Sequence, residues 1–334
     1  MTITRSHLPV TVLTGALGSG KTTVLSHLLR QPALARTAVI INEFGEVGLD
    51  HLLVAHSDEH TVLLESGCVC CTLRSDLADT LRDLDARQAA GTLPPFERVV
   101  VETTGLADPG PIAHTLLTDP ALASRFRLQR ILTTLDAVNA ERELAGREES
   151  RRQVALADEL LLTKVDLAAP DVVARAIAAA RAINPVAQLV EVNHGRVDPG
   201  ILDGGYHDLR AAGAPLERWL HTGALARHGH DHHDHHEHAG ITSFAIVRDA
   251  PVRLQQVLAR LETLTREHGD QLLRIKGVLH CAESPRPIVV HAIHHLLHPP
   301  MQLPAWPGAA RRTEIVFITD GLPRAAVEHL FHDI

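Results

Sequence analysis

No stretch of the 334-residue chain approaches 18 consecutive apolar residues, so no membrane-spanning helix is expected. The segment Met1–Pro9 lacks the apolar core and cleavage site of a secretion signal, which points to a cytoplasmic protein. Net positive charge is absent as well. The formal balance of −8 argues against general affinity for nucleic acid or an anionic membrane. Cysteine is scarce, with four residues in the whole chain, and three of these crowd into Cys68, Cys70 and Cys71, a pattern that excludes a disulfide framework and suggests metal. Lysine is scarcer still: Lys21, Lys164 and Lys276 stand against 29 arginines, the remainder of 32 basic residues. Histidine, by contrast, occurs 24 times.

The chain reads as two folded regions. From Leu8 to about Asn193, short β-branched runs (Pro9–Thr14, Ala38–Asn42, Thr61–Leu64, Arg98–Glu102, Arg130–Leu135, Glu159–Thr163 and Leu189–Asn193) alternate with helical patterns at Thr22–Arg30, Ser75–Ala89, Ser150–Ala157 and Pro170–Ile183. Continuous apolar strands alternating with helices predict an α/β domain with a mainly parallel sheet, assigned to residues 1–220. Residues 221–240 turn to His, Gly, Asp and Ala without apolar periodicity and read as a His-rich linker. Residues 241–334 follow a β-α-β-β-β-α order, a small α+β domain.

After the first strand comes Gly15-Ala16-Leu17-Gly18-Ser19-Gly20-Lys21-Thr22-Thr23. The glycines let backbone N–H groups turn inward around phosphates, Lys21 reaches the β and γ oxygens, and the Thr22 hydroxyl can ligate Mg²⁺. A compact ammonium at Lys21 and again at Lys164, in a chain that otherwise uses arginine, marks the nucleotide site a second time. Lys164 lies in Thr163-Lys164-Val165-Asp166 at a strand end, where Asp166 can accept both guanine edge N–H groups and the Lys164 stem can cover the base. The usual guanine motif begins with Asn. Thr163 stands in its place and removes an amide that normally braces the loop. Val99–Glu102 is an apolar strand that ends in a carboxylate beside the expected Mg²⁺, and Gly105 could donate its N–H to the γ-phosphate; Lys21, Glu102 and Gly105 are therefore the catalytic candidates. Asn193, at the end of the last strand candidate, is placed with the nucleotide-binding residues.

Cys68, Cys70 and Cys71 put three soft ligands into four residues, able to converge on one tetrahedral ion with an open fourth position. Idle thiols in a small-residue turn are the alternative. The run His228–His238 holds seven His and three acids in eleven residues. His230, His232, His233, His235 and His236 could bind several divalent ions with modest selectivity, as a buffer, or the run could be a solvated linker. His291, His294, His295 and His298 are spaced as on one helix face, yet Ile288-Val289-Val290 reads as strand, so a wet strand edge is the expectation. Cys281 is expected in the core.

These motifs together resemble the CobW-type metallochaperone GTPases, relatives of the GTPases that assist urease and hydrogenase maturation. Gly15–Thr23 is similar to the family's phosphate loop, Asn42–Asp50 to its first switch and Gly67–Leu73 to its Cys-x-Cys-Cys signature. Glu102–Pro109 resembles its second switch and Thr163–Asp166 its base loop, while Arg274-Ile275-Lys276-Gly277 and Thr313–Ile318 resemble its C-terminal domain. The resemblance implies a P-loop GTPase domain, GTP and Mg²⁺ as cofactors, a transferred divalent metal with zinc ahead of cobalt, and a client metalloprotein as partner. Glu43 is the carboxylate placed with Mg²⁺ or the transferred metal, alongside Thr22 and Glu102. A metal buffer with structural nucleotide, a cobalt chaperone of cobalamin synthesis, and a small-molecule kinase are the other readings, and a homo-oligomer is allowed.

Overall fold

The computed structural model describes residues 7–41, 62–65, 73–210, 240–306 and 310–334. Glu43, Cys68, Cys70, Cys71 and the run 228–238 lie outside the described residues. The chain divides into two compact units, the first made of residues 1–143, 159–176 and 189–203, the second of 144–158, 177–188 and 204–334.

The first unit is built on seven strands: β1 (Leu8–Gly15), β2 (Thr37–Ile41), β3 (Val62–Glu65), β4 (Arg98–Glu102), β5 (Phe126–Asp136), β6 (Glu159–Thr163) and β7 (Gln188–Val192). They lie in the order β3-β2-β4-β1-β5-β6-β7, and every pairing from β3 to β6 is parallel. The chain moves to one side of β1 to lay down β2, β3 and β4, then crosses to the other side for β5. The sheet order therefore reverses at β1, and crevices at such a reversal, beyond the carboxyl ends of the strands, are where α/β sheets bind ligands. Helix α1 (Lys21–Leu29) leaves that end directly; α2 (Leu73–Ala89), α3 (Gly110–Thr118), α4 (Pro120–Ala123), α5 (Ala140–Gly146), α6 (Glu148–Leu156) and α7 (Pro170–Ile183) follow along the chain, with α6 and the part of α7 from Ile177 onward assigned to the second unit. Val24, Leu25 and Leu28 of α1 close over Leu13, Val39, Val100 and Leu132 of the sheet.

Three of these helices escape the sequence reading. In α3 the start is hidden by Asp108-Pro109-Gly110-Pro111, a string of turn residues; here Asp108 accepts the Gly110 N–H at 2.8 Å and Pro111 occupies the first helical turn, where its missing N–H costs nothing. The sequence also starts the fifth strand at Arg130, because Arg127 and Gln129 interrupt the apolar run; the strand begins at Phe126, with Gln129 and Arg130 buried. Arg130 pairs at 2.6 Å with Glu159, itself fully buried at the start of β6.

The second unit carries an antiparallel sheet in the order β11-β10-β9-β13-β8, with β12 on β10. Its strands are β8 (Ile241–Arg248), β9 (Leu272–Leu279), β10 (Ile288–Ile293), β11 (Leu296–Leu297), β12 (Met301–Gln302) and β13 (Thr313–Asp320), with helices α8 (Leu254–His268) and α9 (Arg324–Leu330). Side chains alternate across a strand. Ile275, Leu279, Val290, Ala292, Ile315 and Phe317 therefore form one face, packed on Val257, Leu261 and Leu264 of α8 and Val327 of α9. Val278 and Val289 point the other way and pack with Tyr206, Leu209, Met301 and Leu303. The expected wet histidine edge holds for exposed His295 and half-buried His294, and fails for the other two. His291 and His298 are buried and stacked in parallel, ring centres 4.7 Å apart, and Tyr206 lies 5.3 Å and 5.4 Å from the two rings. The hairpin from β10 to β11 returns the chain, His298 N–H to His291 carbonyl, so the polar rings fold onto each other instead of facing water.

Burial, then the charges of His207 and Arg274, hold His298 down at about 4; burial and the neighbouring His298, Arg274 and Lys276 also depress His291. Both histidines are thus neutral when folded, while an unfolded chain takes up the proton near 6.5. Stability is full above that value and declines as pH falls towards about 4. Between pH 7 and 5, His298 alone should remove about 2 kcal/mol. Urea unfolding followed by tryptophan fluorescence at the two pH values measures this, and His298→Gln should flatten the dependence.

Candidate functional site

The phosphate loop begins where β1 ends. Gly15 takes φ +139°, and a Cβ there would run into Thr134 on β5; Gly18 and Gly20 take φ +74° and +98°, left-handed backbone that glycine adopts without strain. Those turns aim the loop's interior at Lys21, whose ammonium donates to the carbonyls of Gly15 and Ala16, both at 3.0 Å. Ser19 Oγ lies 2.6 Å from Thr134 Oγ1, pinning the loop to the neighbouring strand. One residue beyond Lys21, the Thr22 hydroxyl donates to Glu102 Oε1 at 2.8 Å. Glu102 is the last residue of β4, in register with Leu13 of β1.

Gly105 is the third residue after β4, and a Cβ on it would sit 2.6 Å from Leu17 Cα. The segment after β4 and the crest of the phosphate loop therefore touch backbone to backbone. Between them opens a cleft of about 580 Å³ lined by Leu17, Gly18 and Gly20–Thr23 on one side and Glu102–Gly105 on the other. Ser26, His27 and Arg30 of α1, Ile41 at the end of β2, and His194 complete the lining.

The residues expected to meet the base gather at the ends of β5, β6 and β7. Thr163 Oγ1 donates to the Ser19 carbonyl at 2.7 Å, with the Leu135 carbonyl at 3.3 Å. The bracing expected to be lost with the Asn amide is thus made by a hydroxyl. Lys164, in left-handed conformation at φ +56°, reaches Asp136 Oδ2 at 2.7 Å. Burial works against ionisation of Asp136, yet the hydrogen bonds from Lys164, Asn139 and the Val138 N–H outweigh it and hold the carboxyl below its usual range. Asp166 is 3.8 Å from His194 Nε2. Asn193 is exposed, its carbonyl accepting the Arg196 N–H at 2.9 Å, and Gly195 lies so close to α1 that a Cβ would fall 2.7 Å from the Thr23 carbonyl. Lys164, Asp166 and Asn193 therefore stand at one end of the sheet, and Lys21, Thr22, Glu102 and Gly105 at the same end nearer its centre.

Asp136, Thr134, His27, Arg30 and His194 do not emerge from the sequence. Asp136 has a signal in retrospect: like Glu102, it is a carboxylate closing an apolar strand whose neighbour is in register, here Thr163. Cys281 is buried, as expected, and burial pushes its thiol up to about 11.

Residues 9–191 match the family described as CobW/HypB/UreG, nucleotide-binding domain, and residues 241–334 match the Cobalamin synthesis protein cobW C-terminal domain. The chain is similar to the zinc chaperone YjiA of Escherichia coli K12, 32% identical over 329 residues that cover 97% of this chain and 98% of that one. It is 29% identical to the zinc chaperone CobW of Pseudomonas aeruginosa, over 97% and 90% of the two chains. Among solved structures, the crystal structure of Zn(II)-bound YjiA GTPase from E. coli superposes with a TM-score of 0.74 at 27% identity, covering 98% of each chain.

The Thr163 hydroxyl is the brace between β6 and the phosphate loop, so Thr163→Val should weaken GDP binding by about 1–2 kcal/mol, on the order of 10-fold, since the Ser19 carbonyl loses its donor. Thr163→Asn should keep most of the affinity. Isothermal titration with GDP distinguishes the three proteins.

Proposed function

Because the chain belongs to the CobW/HypB/UreG family, we propose that it is a GTP-hydrolysing metallochaperone that carries a divalent metal, zinc ahead of cobalt, to a client protein. The observation that carries the nucleotide half is the Thr22–Glu102 pair, two oxygen donors 2.8 Å apart beside Lys21 at the mouth of the phosphate loop. Hard oxygen ligands of this kind suit Mg²⁺, which would be held by Thr22 and Glu102 and would neutralise charge on the β and γ oxygens. Lys21 holds the phosphate oxygens, the loop N–H groups cradle them, and Gly105 presents its N–H to the γ-phosphate. Asp166 and Lys164 read and cover the guanine. Asp136 keeps Lys164 in place through an ion pair that leaves Asp166 available for the base edge.

For the cargo half, Cys68, Cys70 and Cys71 with Glu43 form the transfer site, and the histidines between 228 and 238 form a store of weaker sites. Thiolates fit zinc by softness and tolerate cobalt by geometry. The names of the relatives favour zinc. GTP binding tightens the segments flanking the cysteines, and hydrolysis loosens them for release to the client.

Lys21→Ala should abolish nucleotide binding while leaving the circular-dichroism spectrum and melting curve close to wild type, because the ammonium acts on phosphates and not on the core; a folded variant that still hydrolyses GTP would falsify the phosphate-loop assignment. The metal half is read by competitive zinc titration with and without Mg²⁺ and a non-hydrolysable GTP analogue. Deleting residues 228–238 should lower the total zinc bound and spare one tight site whose affinity rises about 5- to 150-fold with the analogue. Replacing Cys70 and Cys71 by Ser should remove that site and leave the weaker ones. By reciprocity, zinc should tighten the analogue by the same factor.

A further inference from the structure

Among the described residues, Lys164, His194 and His294 are the non-glycine positions with left-handed backbone, and the first two belong to the first unit. His194 follows β7 in the run Asn193-His194-Gly195-Arg196. The Asn193 carbonyl accepts the Arg196 N–H at 2.9 Å, and the two central residues take φ +50° and +74°, the signs of a type I′ turn. Gly195 is pressed against the Thr23 carbonyl, so the turn is seated on the first turn of α1. Turns of this kind are filled mainly by Gly, Asn and Asp. An imidazole at the first central position is therefore not something the turn requires.

The ring has a definite place. It lines the cleft beside the phosphate loop, and its Nε2 lies 3.8 Å from Asp166 Oδ2 with 74% of the side chain exposed. That distance is contact and not a hydrogen bond, so the ring stands beside the carboxylate without being tied to it. All of these residues lie in the first unit. A nucleotide with its phosphates on the loop and its base on Asp166 must pass this imidazole. The Watson–Crick edge of guanine presents the acceptor O6 beside two donors, N1–H and the 2-amino group. Its complement is a donor next to a carboxylate, which is what His194 and Asp166 offer together. Adenine carries an amino group where guanine has O6, and so meets a donor with a donor. A carboxylate alone tests two groups of the edge; the pair tests all three.

We propose that His194 is a specificity-determining residue of the nucleotide site, its ring N–H donating to guanine O6 while Asp166 accepts from N1 and the 2-amino group. The inference rests on the reading of Asp166 as a guanine ligand, and three nucleotides separate the two. GDP carries all three groups, IDP keeps O6 and lacks the 2-amino group, and ADP lacks O6. Isothermal titration of the full chain with each comes first; wild type that does not rank GDP above both IDP and ADP overturns the reading of Asp166, and this inference with it. His194→Gly removes the ring without backbone cost, since glycine adopts left-handed φ freely. It should weaken GDP and IDP together by about 10-fold, the scale of one hydrogen bond, and leave ADP unchanged. The ratio of GDP to IDP affinity then stays at the wild-type value. His194→Phe keeps a flat ring without a donor and should show the same pattern. Equal loss for all three nucleotides would put the ring on ribose or phosphate, loss of GDP alone to the level of IDP would mean that it merely steadies Asp166, and affinity retained in His194→Phe would mean stacking. Each of these outcomes, like unchanged affinities in His194→Gly, overturns the proposal.

Discussion

The backbone contact between Gly105 and Leu17 is the constraint on which the nucleotide cleft depends. With no side chain between them, the segment after β4 rests on the crest of the phosphate loop, and the loop cannot shift without moving that segment. A methyl group in that gap would separate the two walls, and the Thr22–Glu102 hydrogen bond spanning the cleft a few residues away would have to stretch with them. The glycines of the phosphate loop have a similar dependence: Gly15 must fit against Thr134, so the loop takes its position from β5 as well as from β1. Two strands and one return segment thus locate a single ammonium.

Much of this was legible in the residues because glycine demands are local. A loop that needs left-handed backbone at Gly18 and Gly20, followed at once by Lys and Thr, states its geometry within eight positions. Strand ends are harder. Glu102 could be read because its apolar run is unbroken, whereas β5 mixes Arg127, Gln129 and Arg130 into its length and so concealed both its start and the meaning of Asp136. Helix α3 was hidden by prolines that serve as its first turn. His291 and His298 misled in another way, since their stacking on Tyr206 is a partnership with a distant segment that no spacing rule reports.

Thr163 shows how a motif can lose its usual residue and keep a contact. The position needs one donor directed at a phosphate-loop carbonyl, and a hydroxyl one bond from Cβ reaches the Ser19 oxygen at 2.7 Å. Its methyl group fills the space over Gly20, where a Cβ would meet Thr163 Cγ2 at 3.4 Å. A β-branched residue is also stiff about its first side-chain torsion, which favours holding one direction. The departure from Asn therefore exchanges an amide for a shorter, more rigid donor.

Cys281 has a consequence for how this chain meets oxidants and alkylating reagents. Buried on the core face of the second unit, with a thiol that stays protonated at neutral pH, it reacts slowly because the thiolate is the nucleophile. The chain's remaining sulfhydryls are Cys68, Cys70 and Cys71. A colorimetric thiol count taken before any denaturant is added should therefore omit Cys281, and its delayed appearance on unfolding becomes a direct clock for the opening of the second unit's core.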